Sequence, residues 1–282
     1  MRIQSAARQE PNRRAHAVPC KIARTRLDEL VAKLSGITRS AARSLILEGR
    51  VSVEGAQVTK AGASVKPHAK IAIERPRRFV SRGGEKLEHA LSAFEVDVAG
   101  ARVLDVGAST GGFTDCLLQR GAASVVAVDV GYGQFDWRLR NDPRVTILER
   151  TNFRHLPGGL FKEPFQLVVI DVSFISLKTI VERAIAELAP GGTIVALVKP
   201  QFEAGRKRLG RGGVVRDPEV HRAVLREVRD AMQSLGLTAA AVTPSPLLGP
   251  AGNREFFMLA RREGAPVSDT RLDEAIARGA SS

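Results

Sequence analysis

The spacing of apolar positions changes along the chain, and the changes divide it. Leu27, Leu30, Val31 and Leu34 recur at three- and four-residue steps, one face of a short helix. Gly36 ends that helix. Thr38 or Ser40 can cap a second one through Ala41, Ala42, Leu45 and Ile46, which Gly49 stops. Residues 50–55 then alternate like a half-buried strand entering a turn, with shorter strand signals at 57–59 and 70–74. Beyond residue 80 the elements lengthen. Buried-strand runs at 101–106, 124–130, 144–148, 165–171, 192–198, 238–242 and 255–260 alternate with helical spacing at 85–94, 113–119, 177–188 and 218–235. That succession predicts an α/β fold with a doubly wound, Rossmann-like, mostly parallel sheet. A turn-rich loop without a helix joins the last two strands, so the final strand is expected antiparallel.

These patterns set domain boundaries. Residues 1–22 read as a disordered tail and 23–74 as a small α+β module. Residues 75–80 read as a linker stiffened by Pro76, 81–262 as the large domain and 263–282 as an accessory C-terminal tail. Charge adds a partner. The chain has 43 Lys and Arg against 30 Asp and Glu, a formal charge of +13. More than half of that excess falls between residues 20 and 80, which hold thirteen Lys and Arg and five Asp and Glu. A basic balance favours an anionic partner, with nucleic acid ahead of an anionic membrane surface. Concentration of the charge on a separate small module favours RNA over a merely solvated face, and Arg26, Arg39, Arg43 and Arg50 are the candidate contacts. No apolar run reaches the roughly 20 residues a spanning helix needs, and the N-terminus lacks the apolar core of a secretory signal. Cys20 and Cys116 imply no disulfide framework. A cytosolic, cytoplasmic protein is expected.

Residues 103–113 form a strand that runs into a glycine-rich turn and then a helix, and Asp129 closes a second strand about 20 residues past the turn. An acid there can accept hydrogen bonds from both ribose hydroxyls of a nucleoside. A nicotinamide dinucleotide would give the same outline. The turn reads Gly-x-x-x-Gly-Gly, however, and Asp105 lies in the strand before it, where it can face the cofactor. The stretch resembles the first motif of Rossmann-like methyltransferases. The resemblance implies S-adenosylmethionine, with Asp105, Gly107, Ser109, Thr110, Gly111, Gly112 and Phe113 around its methionine part. It also implies Asp129 on the ribose and Asn152 at the adenine.

The acceptor is read by elimination. Asp171-Val172-Ser173-Phe174 ends the fourth strand, where enzymes acting on exocyclic amines usually carry Asn/Asp-Pro-Pro-Tyr/Phe, and that motif is absent. Methylation at pyrimidine carbon 5 needs a nucleophilic cysteine, whereas Cys116 reads as structural and buried. A hydroxyl remains. A ribose 2′-hydroxyl is a poor acid and needs a nearby cation or base, a role open to a desolvated lysine. Lys199 ends the fifth strand, Glu255 opens the last one, and Lys86 lies early in the domain's first helix.

In order, Lys86, Asp171, Lys199 and Glu255 resemble the tetrad of FtsJ-type ribose 2′-O-methyltransferases. The segment 25–65 resembles the S-four type RNA-binding domain. Together with Lys-Pro-Gln-Phe-Glu and Gly-Asn-Arg-Glu-Phe, the span 25–262 resembles the TlyA family. This implies methylation of cytidine 2′-hydroxyls in ribosomal RNA, of the large subunit with or without the small. On this reading Lys199 is the base or stabilises the alkoxide, Asp171 orients it and sits near the methyl donor, Glu255 tunes Lys199 by charge, and Lys86 positions the ribose or stabilises negative charge on it. Arg82, and Arg206, Lys207 and Arg208 in the glycine-rich loop after Lys199, are expected to hold RNA backbone. Ribosomal RNA or a ribosomal subunit is the expected partner, with no metal, membrane or obligate protein partner. Two other readings compete: a membrane-active haemolysin, and an inactive RNA-binding assembly factor.

Overall fold

The computed structural model describes residues 24–74, 78–157, 159–205 and 208–280. The chain divides into two compact units between residues 76 and 77. The tail expected at 1–22 lies outside the described residues, as do Arg206 and Lys207.

The smaller unit runs β1 (Thr25–Arg26), α1 (Leu27–Ser35), α2 (Arg39–Leu47), β2 (Val51–Val53), β3 (Ala56–Gln57), β4 (Ser64–Val65) and β5 (Ile71–Ile73). Strands pair as β1–β4 and as β3–β2–β5, all antiparallel. Of the two candidate caps for α2, Thr38 does the work, its hydroxyl accepting the Ala41 amide at 3.2 Å. Leu27, Val31, Ala42, Ile46 and Val51 are fully buried where the two helices and β2 meet. Asp28 is buried among them. Arg26 donates to both of its oxygens at 3.0 and 2.9 Å, and Arg39 adds a longer bond at 3.2 Å. These guanidiniums, Arg26 first, hold the Asp28 carboxyl well below the usual carboxylate range. Arg26 and Arg39 were expected on the RNA. The structure instead engages both in neutralising a buried acid.

The larger unit begins before residue 81. Phe79, expected in a linker, is 3% exposed and belongs to this unit's core, and the Val80 amide donates to Asp115 at 2.8 Å. Helix α3 (Arg82–Ala93) precedes β6 (Arg102–Val106), α4 (Gly112–Gln119), β7 (Ser124–Val128), α5 (Trp137–Arg140), β8 (Val145–Leu148) and β9 (Phe165–Ile170). Then come α6 (Leu177–Ile185), β10 (Leu188–Val198), α7 (Pro200–Glu203), α8 (Pro218–Ser234), β11 (Thr238–Pro244), β12 (Phe256–Arg261) and α9 (Asp269–Ala280). The seven strands lie in the order β11-β12-β10-β9-β6-β7-β8. All pairs from β10 to β8 are parallel, and β12 runs antiparallel to both of its neighbours, as expected for the last strand. Two differences from the sequence pattern stand out. The sixth helix stops at Ile185 rather than 188, because Leu188 already pairs with Phe165 ahead of a register irregularity. The stretch 263–282, read as an accessory tail, contains α9. Its Leu272, Ala275 and Ile276 are buried in the main core, and Asp269 and Asp273 pair with Arg226 and Arg222 of α8.

Strand alternation divides this core into two layers. Leu104 and Val106 face the layer of α6, α8 and α9, whereas Val103 faces the layer of α3 and α4. Asp105 shares the face of Val103, so it points beneath α4 and not into a cleft. It is completely buried and accepts the Thr114 hydroxyl at 2.7 Å. The sequence placed it at the methionine part of a cofactor; the structure shows it packed under α4, with Oδ1 left without a hydrogen-bond partner. Burial, more than the neighbouring Asp171 and Asp129 charges, pushes its carboxyl up to about 7.

Two predictions follow from the packing. Leu272→Ala should cost about 2–5 kcal/mol of unfolding free energy, read by urea titration; an unattached tail would give no change. Asp105 is held protonated by the fold to a higher pH than in the unfolded chain. Its contribution is therefore complete below about pH 4 and declines as pH rises towards 7, by on the order of 4 kcal/mol. Asp105→Asn should flatten that decline in urea midpoints measured from pH 4 to 8.

Candidate active site

Parallel strands end together, and their carboxyl edge gathers the side chains that follow them. In the larger unit two adjoining cavities open along this edge. One, of about 300 Å³, is lined by Lys86, Asp171, Lys199 and Glu255, with Arg82 and most of the turn from Gly107 to Phe113; the expected cofactor residue Gly111 is not among them and faces Leu139 and Phe135. The other, of about 590 Å³, is lined by Asp129, Gln134, Asn152, Phe153, Phe174 and Ile180. Gly107, Ser109 and Asp171 belong to both.

The four charged residues form two pairs. Lys199 follows β10 and Asp171 follows β9, so adjacent parallel strands set Nζ and Oδ1 2.6 Å apart. Lys199 also donates to Ser173 Oγ at 2.9 Å. Lys86, one turn into α3, reaches across the chain to Glu255, with Nζ 2.5 Å from Oε2. The side chain of Lys86 is 10% exposed and that of Glu255 is wholly buried. Glu255 was expected to tune Lys199. Its ion pair is with Lys86, while Asp171 serves Lys199. The difference was invisible in the sequence because it depends on which strand is whose neighbour.

The larger cavity has the character of a nucleoside site. Both Asp129 oxygens are held by the chain: Oδ2 accepts the Ser109 amide at 2.7 Å, and Oδ1 accepts the Gly131 amide at 2.6 Å and the Gln134 side chain at 3.1 Å. A carboxylate offers about four lone-pair sites, so these three bonds fix the acid and leave one site, on Oδ2, for a hydroxyl donor. Gly107 has φ +89°, and a Cβ there would strike the Asp171 carbonyl. That close approach joins the turn to the end of β9. Asn152 borders the cavity, and its side chain accepts the Arg154 amide at 3.1 Å. Phe113 lines the smaller cavity but is 3% exposed and packs on Phe257, so most of its surface serves the core.

Some expected contacts are otherwise engaged. Arg208 forms a two-pronged pair with Glu227 of α8 at 2.8 and 2.9 Å and donates to the Ala204 carbonyl. Arg50 pairs with Glu48. Arg43 and Arg82 are exposed. Cys116 is fully buried, and burial pushes its thiol far up, as the structural reading required. Sequence reasoning gave no role to Phe174. This residue is 89% exposed, takes φ +64° and lies with its ring centroid 4.7 Å from that of Phe202, the two planes tilted by 49°. A bulky side chain in the left-handed region signals a position held under strain. The signal available was its place three residues beyond the strand-end acid Asp171 and one beyond Ser173.

Residues 79–262 match the FtsJ-like methyltransferase family, and residues 25–71 match the S4 domain. The chain is 46% identical to the 16S/23S rRNA (cytidine-2′-O)-methyltransferase TlyA of Mycobacterium tuberculosis, over 92% of this chain and 98% of that one. A solved structure from Streptococcus thermophilus with a provisional hemolysin name superposes with a TM-score of 0.71 at 37% identity, covering 92% of this chain and 97% of that one. Another such structure, from Lactococcus lactis, gives 0.69 at 40% identity over 73% and 100%. An S4 domain followed by an FtsJ-like fold, with matches that run nearly end to end, makes this chain a member of the TlyA family of FtsJ-like methyltransferases.

Proposed function

We propose that this protein transfers a methyl group from S-adenosylmethionine to the 2′-hydroxyl of a cytidine in ribosomal RNA. The observation that carries the reading is the convergence of Lys86, Asp171, Lys199 and Glu255 on one cavity that shares Gly107, Ser109 and Asp171 with the Asp129 cavity. The residues fit the methyl donor: Asp129 retains an open acceptor site for a ribose hydroxyl, and the turn that begins at Gly107 presents backbone towards the same space. When bound, S-adenosylmethionine supplies a methyl group already activated by its sulfonium.

The chain's own residues prepare the acceptor. Phe174 offers an exposed ring on which the target base stacks. Lys199 acts in its amine form: after its ammonium has released one proton to water, Nζ receives the hydroxyl proton, while Asp171 and Ser173 fix that nitrogen in place. Lys86, anchored by Glu255, faces the same oxygen and stabilises the negative charge that develops there. The small domain brings RNA to the enzyme, with Arg43 as its exposed helical contact. Among the described residues, no helix is long and apolar enough to cross a membrane.

Lys199→Ala should lower methyl transfer by about 100-fold or more while S-adenosylmethionine affinity stays within about threefold. Transfer near the parent rate would remove Lys199 as the proton acceptor. Asp129→Ala should weaken cofactor binding by about 100-fold, measured by calorimetry, because a charge-assisted hydrogen bond to the ribose is lost. In cells lacking the protein, cytidine 2′-O-methylation should vanish from specific ribosomal RNA positions; an unchanged methylation map would refute the activity.

A further inference from the structure

Glu255 is 2% exposed, and its two oxygens have different surroundings. Oε2 meets Lys86 in the reacting cleft. Oε1 has no hydrogen-bond partner, and it lies on the side of Gly249, where an added Cβ would run into it. Gly249 lines a separate cavity of about 310 Å³, which shares Arg82 and Glu255 with the reacting cleft. Pro244, Pro246, Leu247 and Leu248 give it apolar walls. Its volume is within the range of small-ligand pockets.

A buried acceptor without a donor costs about 1–3 kcal/mol, and more when charged. The orphaned oxygen therefore calls for a ligand that brings a hydrogen-bond donor. A phosphodiester does not answer this need, since it carries acceptors and no donor, although Arg82 and Arg254 also line the cavity. A nucleobase amine suits the site: carboxylates accept from such amines, and apolar walls suit ring faces. Strand order sets this base beside the target. Phe174 follows β9, Glu255 opens β12, and Lys199 of β10 stands between them. A target base against Phe174 leaves the Glu255 side to the next nucleotide of the strand, with Arg82 between the two cavities for the connecting phosphate.

We propose that this cavity is a subsite for the nucleotide adjacent to the methylated one, and that Glu255 Oε1 accepts a hydrogen bond from that base's exocyclic amine. A uracil, which has no such amine, is disfavoured there. The subsite rests on the RNA-methylating reading.

The test uses the full chain and an RNA carrying the mapped target. In separate RNAs, the nucleotide on each side of the target is replaced by its counterpart lacking the amine. Removal on one side should lower kcat/KM about tenfold and weaken RNA affinity without methyl donor to the same degree, with little effect on the other side. Leu248→Trp, which fills the cavity from an exposed position, should raise the KM for RNA about tenfold, leave S-adenosylmethionine affinity unchanged and abolish the amine preference. Equal handling of both altered RNAs overturns the subsite, as does a Leu248→Trp enzyme with the parent KM and the parent preference. Failure to methylate the unaltered RNA overturns the underlying activity, and the subsite with it.

Discussion

Charges withdrawn from water at the edge of a sheet are tolerable when each finds its opposite. Here two lysines and two carboxylates sit at one carboxyl edge, and they persist as Lys199–Asp171 and Lys86–Glu255. The first pair follows from parallel neighbours that end at the same level. The second ties the opening helix of the domain to its closing strand across 169 residues. Removing one member leaves an uncompensated charge, so the cleft depends on the whole sheet being in register. The same rule governs the small domain, where Asp28 is buried against Arg26 and Arg39.

The pairing also divides labour. Asp171 stands where the two cavities meet, so it can hold Lys199 while bordering the nucleoside site. Glu255 keeps Lys86 in place with one oxygen and leaves the other free. A salt bridge built for rigidity would satisfy every lone pair. One that leaves an acceptor open towards a cavity has a second use.

Much of this was legible in the chain. The central strands announce themselves as apolar runs because parallel strands are covered on both faces. The tetrad was visible because three of its members close or open those strands and the fourth, Lys86, lies early in the helix that opens the domain. What stayed hidden depends on partners far apart in sequence. Asp105 looked like a cleft residue from its place before the glycine turn, yet two-residue alternation sends it beneath α4. Arg208 looked free until α8 supplied Glu227. The helix at 269–280 was missed because its apolar face is sparse and acquires meaning only against α8 and β11. Phe174 escaped notice because exposure and a left-handed backbone are properties of the folded turn.

Gly107 has a bearing on how such an enzyme can diverge. Its missing side chain lets the donor turn touch the backbone of Asp171, so a residue that alters one alters the other. Adaptation to a new acceptor is thereby steered away from the β6–β9 seam. It is left to the loop before β12, where Leu247 and Leu248 can change without disturbing the methyl donor. The chemistry is thus conserved by geometry on one side of Lys199, and the choice of RNA is free to drift on the other.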